Sequence, residues 1–125
     1  MADQLSEGQA LRPPEGGCIE VQLDEQAARL RRELQQTGRD REAVSLVKDY
    51  GLNVMMMSLR RGARLHEHIT KGPLALQVIS GRINFNASGV TKEVEAGSMV
   101  ALDREIIHCV EALEDSTLLL TTAIG

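Results

Sequence analysis

The chain has 125 residues, enough for one domain that buries roughly two-thirds of the surface its unfolded form would expose, so a core can form without covalent staples. A formal net charge of −4, one tyrosine, one phenylalanine and no tryptophan exclude a nucleic-acid binder, which needs a basic field and aromatic stacking platforms. The two cysteines, Cys18 and Cys109, form no CxxC pair, so neither a disulfide framework nor a cysteine-based zinc site is expected, and a reducing cytoplasm fits best.

Residues 1–17 are polar, with Pro13 and Pro14 and a closing Gly16–Gly17, and read as a flexible N-terminal arm. The arm lacks the basic start and apolar run of a signal peptide, and no stretch reaches the roughly 18 apolar residues of a membrane span, so a soluble protein with no membrane partner is expected. Residues 18–125 then read as a single domain. Its first element is a short helix over about 24–37, in LDEQAARLRRELQQTG. Asp24 is the expected cap, Ala27, Leu30 and Leu34 share one face at helical spacing, and Gly38 is the expected stop. Arg29, Arg31 and Arg32 are interspersed with Glu25 and Glu33, the pattern of a solvated face. The sharper alternative is an anionic partner docked on these arginines, and a related one is a partner-binding protein in which the strand-rich region is only a scaffold and the arm or this helix makes the contact.

From residue 43 to about 123 the texture changes to short apolar runs: AVSLVK, NVMMMSLR, LALQVIS, RINFNA, VTKEVE, SMVALD, IIHCVEA and STLLLTTAI. Turn residues separate them at intervals too short for intervening helices, which predicts an all-β barrel or sandwich. Met55, Met56 and Met57 should face alternate sides of their strand, and the NAS at Asn86 reads as a turn. Runs apolar on both faces, such as MVAL and TLLLTTAI, predict that the outer side of one sheet is covered by the helix or by a second copy.

The only histidines are His66, His68 and His108. On a regular strand His66 and His68 share a face with Glu67 opposite, and His108, embedded in IIHCV, is the one remaining histidine that can join them. Cys109 should face away from His108 and is expected as a buried structural cysteine, while Glu95, Glu111, Glu114 and Asp115 belong to solvent.

The interval from Gly97 through SMVALDREII to His108 resembles the second motif of the cupin superfamily, glycine, five residues, proline, one residue, glycine, two residues, histidine, with Asp103 and Glu105 in place of its proline and second glycine. In the first motif, Gly62 and Gly81 both place the first metal histidine at His68, the second at Thr70 and the glutamate at Leu74. Taking the visible HEH as the histidine pair instead starts the motif two residues early, at His66. The resemblance implies a small RmlC-like bacterial cupin: a double-stranded β-helix, or jelly-roll barrel, after one short helix, and a homodimer.

For the site, the resemblance implies His66, His68 and His108 around a divalent transition metal (Fe, Zn, Ni, Cu or Co) and a dioxygenase or isomerase type of activity on a small molecule. The competing expectation is a metal-free cupin that binds or senses a small molecule in a pocket lined by Thr70, Leu74 and, if the strand bulges, Gln77.

Overall fold

A computed structural model describes residues 17–49 and 51–123, and within them every side chain except those of Asp49, Glu67 and His68. The expected arm lies outside the described residues apart from Gly17. One helix, α1 (Leu23–Gln36), precedes nine strands: β1 (Arg41–Asp49), β2 (Leu52–Leu59), β3 (Arg64–His68), β4 (Leu74–Ser80), β5 (Arg82–Ala87), β6 (Val90–Glu95), β7 (Met99–Leu102), β8 (His108–Ala112) and β9 (Ser116–Ala123). No helix among the described residues is long and apolar enough to cross a membrane.

The strands form two antiparallel sheets, ordered β1-β2-β9-β4-β7 and β3-β8-β5-β6. Pairings β2·β9, β3·β8, β4·β7 and β5·β6 nest inside one another, so the chain winds inward to the β5–β6 hairpin and back out as a jelly roll. Alternation along each strand sends one set of side chains between the sheets, where Leu59, Leu76, Val78, Ile83, Phe85, Val110 and Leu118 form the main core. The other face of β1 and β2 carries Val44, Leu46 and Met56, which pack under Ala27 and Leu30 of α1. A leucine as buried as Leu30, at 1% exposure, contributes about 1.5–3 kcal/mol, so the helix is fixed by packing more than by propensity.

The helix ends differ from expectation. Gln22 occupies the cap position without a side-chain hydrogen bond to the helix, and Asp24 with Glu25 lies in the first turn, where a carboxylate favours the positive end of the helix dipole. At the other end Thr37 is extended, and Gly38 takes no left-handed conformation. Arg60, in the turn after β2, makes that glycine unnecessary by donating from Nη2 to the carbonyls of Leu34 at 2.6 Å and Thr37 at 3.0 Å. Asn86 lies in β5, not in a turn: its Nδ2 donates to Thr91 Oγ1 at 2.7 Å across the hairpin whose turn is Ser88–Gly89.

Gly81, between β4 and β5, has φ +88°, and a Cβ there would run into Ser116 and the Asp115 carbonyl. The Ser116 hydroxyl accepts the Arg82 N–H at 3.0 Å and donates to the Glu114 carbonyl at 2.8 Å, so this close approach joins β9 to the start of β5.

Candidate functional site

A cavity of about 560 Å³ lies between β1–β2–β9–β4 on one side and β3–β8 on the other. Cross-strand register arranges its first wall in rows. Lys48, Asn53, Thr122 and Leu74 are successive partners across β1, β2, β9 and β4, and all line the cavity. The next row inward is Ser45, Met55, Leu120 and Leu76, also lining it. Beyond these come Ala43, Met57, Leu118 and Val78, of which Leu118 and Val78 are fully buried and close that end. Met56, between Met55 and Met57, is buried under the helix, so the three methionines alternate as the strand period requires.

Leu65, Val110 and His108 supply the facing wall, and Ile69 and Thr70 supply the loop after β3. His108 is 6% exposed, and its ring stacks on Phe85 with centroids 5.8 Å apart. Its Nδ1 lies 3.1 Å from the Ile106 carbonyl. A carbonyl only accepts, so Nδ1 carries the proton of this contact. Behind this wall the turn before β8 is pinned by the Glu105 N–H, which donates to the Thr70 carbonyl at 2.8 Å. Glu105 stands where the cupin motif has glycine and keeps the left-handed geometry, with φ +61°.

His108, Thr70 and Leu74 therefore come together on one cavity. His66 is exposed and is not among the residues lining it; Gln77 is exposed on the opposite face of β4, so it does not enter the pocket. The two-residue alternation expected for His66 and His68 is interrupted: between Leu65↔Val110 and His68↔His108 the ladder contains one extra residue on β3. The Cα of His68 is the ladder partner of His108, while its side chain lies outside the described residues. Among the described residues no group of three or more His, Cys, Asp or Glu side chains could hold a metal ion. Of the cupin ligand positions, Thr70 offers a hydroxyl that already donates to the Gly72 carbonyl at 2.9 Å, and Leu74 offers no donor atom, so a three- or four-ligand set does not fit the described side chains. Cys109 is half-buried, and its neighbour Glu111 pairs with Arg64 at 3.7 Å on the outer surface.

The β1–β2 side of the wall escaped sequence reasoning. Its signal was a strand with polar residues at positions 41, 45 and 48 among apolar ones, which reads as ordinary edge-strand patterning. Arg41 and Lys48 both line the cavity, and no Asp or Glu does among the described residues. Arg41 is already engaged: Nε donates to Asp40 at 2.9 Å and Nη2 to the Arg64 carbonyl of β3 at 2.8 Å, clasping one sheet edge to the other. The Arg41 hydrogen bond holds the Asp40 carboxyl below the usual carboxylate range and raises the guanidinium's own pKa.

No family model matches the sequence, and no curated protein does. Solved structures match its fold. A conserved protein of unknown function from Streptococcus pyogenes superposes with a TM-score of 0.67 at 21% identity, over 74% of this chain and 83% of that one. A cupin superfamily protein from Desulfitobacterium hafniense gives 0.67 at 13% identity, over 71% and 84%. An RmlC-like cupin from Shewanella frigidimarina gives 0.66 at 19% identity, over 70% and 79%.

Proposed function

We propose, from the premise that this chain is a cupin by fold, that it binds a small, largely apolar molecule inside the barrel, with His108 as a polar contact in the wall. The cavity carries this reading: about 560 Å³ falls within the range of small-molecule sites, and apolar side chains with a few polar groups among them line it. A ligand that binds only the folded chain raises its melting temperature by mass action. A panel of small apolar and amphipathic metabolites is therefore expected to contain compounds that raise the melting temperature of the wild type in a saturable way but not that of Met55→Glu. Met55 is 37% exposed, so a carboxylate there can reach water in the free protein while opposing an apolar occupant. A panel that shifts neither protein, or both equally, contradicts the reading.

A second reading is a divalent transition metal, Fe, Zn, Ni, Cu or Co, held by His108 and His68. The ladder pairing of these two residues favours it. Such an ion would supply Lewis-acid or redox chemistry of the dioxygenase or isomerase kind. Inclusion of His66 as a third ligand would require a rearrangement of the β3 bulge. The check is metal content by mass spectrometry of untagged protein. About one ion per chain, lost in His68→Ala and His108→Ala, supports this reading, and protein that stays empty after incubation with each metal sinks it.

We further propose a cytoplasmic homodimer. Both described cysteines are free, and the outer face of β4 and β7, away from α1, presents exposed Met99 and Ala101 beside Gln77, the ladder partner of Met99. Light scattering after gel filtration should give a dimer for the wild type and a monomer for Met99→Glu, and a monomeric wild type removes the proposal.

A further inference from the structure

Building on the small-molecule reading of the cavity, we infer that its occupant is an amphipathic anion, with one carboxylate or similar head at the Lys48 row and a compact apolar body directed inward. A bulge in β1 supports this assignment. Arg41, Ala43 and Ser45 pair with Leu59, Met57 and Met55, while Val44 and Leu46 are buried on the helix side. With strict alternation Lys48 would fall with Val44 and Leu46. The register instead shifts between Ser45 and Val47, so Val47 partners Val54 and Lys48 partners Asn53. Leu46 is the extra residue. Its insertion turns Lys48 to the cavity side, the re-aiming that bulges produce beside functional sites.

Lys48 thereby heads a row of complementary groups. Asn53 and then Thr122 follow it across the ladder, adding an amide and a hydroxyl at neighbouring positions about 5 Å apart. Together they offer an ammonium, an amide N–H and an O–H, a donor set suited to an anionic head group. The Arg41 guanidinium is occupied by Asp40 and the Arg64 carbonyl, which leaves Lys48 as the cation for an incoming ligand. Among the described side chains no carboxylate pairs with Lys48 or lines the cavity. In a chain of net charge −4, a cavity whose described lining holds Lys48 and no carboxylate favours anions.

Below this row the wall has Met55, Leu120 and Leu76, and then fully buried Leu118 and Val78. Two strand residues per row, at about 3.4 Å each, put the closed end about 14 Å from the head-group row, which suits a medium-sized body and not a long lipid chain.

Titration calorimetry with octanoate, 1-octanol and octylammonium on the wild type and Lys48→Gln tests the assignment. Lys48 is exposed, so the variant is expected to fold, and a thermal melt verifies it. Octanoate should bind the wild type about tenfold tighter than octanol, the scale of one partly desolvated charge contact, and octylammonium weakest. In Lys48→Gln the octanoate advantage should vanish while octanol affinity stays unchanged. Equal binding of octanol and octanoate, an advantage that survives in the variant, or tightest binding by octylammonium overturns the anion assignment and leaves the cavity reading standing. If none of the three binds at millimolar concentration, both fail.

Discussion

Gly81 and Glu105 are two residues at which the backbone sets the terms. A methyl group at position 81 would meet Ser116 and the Asp115 carbonyl in a conformation that side chains rarely adopt, and backbone atoms cannot yield as a flexible side chain can. Gly81→Ala should lose about 2–4 kcal/mol in urea denaturation, and an unchanged midpoint would show that the β4–β5 turn can relax. Glu105 presents the reverse case, a side chain in a left-handed position that the related motif gives to glycine. Glu105→Gly should gain about 1 kcal/mol by the same measurement, provided its N–H keeps the bond to Thr70. The sequence exposed the substitution, because the interval from Gly97 to His108 is intact. It carried no sign that the turn would keep its geometry and pin the cavity loop.

At the scale of elements, helix and strands were legible because their periods are strong: Ala27, Leu30 and Leu34 mark the buried stripe of α1, and the turn residues bound the strands closely. Leu30→Ala should cost about 2–5 kcal/mol, since Leu30 fills the space over β1 and β2; a loss well below 1 kcal/mol would mean that the helix contributes little to the fold. The bulges were not legible. Period-two reasoning assumes an unbroken ladder, and one inserted residue reverses every face assignment after it. That is why His66 was expected beside His68, and why Lys48 went unnoticed as a cavity residue.

The Asp40–Arg41–Arg64 clasp between β1 and β3 was equally hidden, because it joins residues distant in sequence through a backbone carbonyl. Its pH dependence follows from the lowered Asp40 pKa. A depressed carboxylate stabilises the fold above its unfolded pKa, and this contribution is lost as pH falls through the lower folded value. Asp40→Asn should therefore lower the melting temperature slightly at neutral pH, the contact being exposed, and this difference should fade as the pH is taken down through the lowered folded value. A difference independent of pH would assign the effect to packing instead of charge.

For the molecule as a whole, nested strand pairing gives two sheets whose inner faces cannot all be filled. The far end packs solid around Ile83, Phe85 and Val94, and the end beneath the two edge strands β1 and β3 stays hollow. Strand spacing made an all-β barrel or sandwich legible and the cupin resemblance narrowed it to a jelly roll, but where its interior stays open depends on side-chain volumes meeting across the sheets, which no single stretch of sequence reveals. The central claim is that this hollow is a ligand site, and the methionines provide built-in reporters. Met55 and Met57 line the cavity, Met56 lies under α1, and Met99 stands on the outer face of β7. The most direct measurement is a methyl NMR titration of methionine-labelled protein with octanoate and 1-octanol. Saturable movement of the Met55 and Met57 methyl signals, with Met56 and Met99 unmoved, is the predicted result. Movement of Met99 alone, or of no methyl up to millimolar ligand, would contradict it.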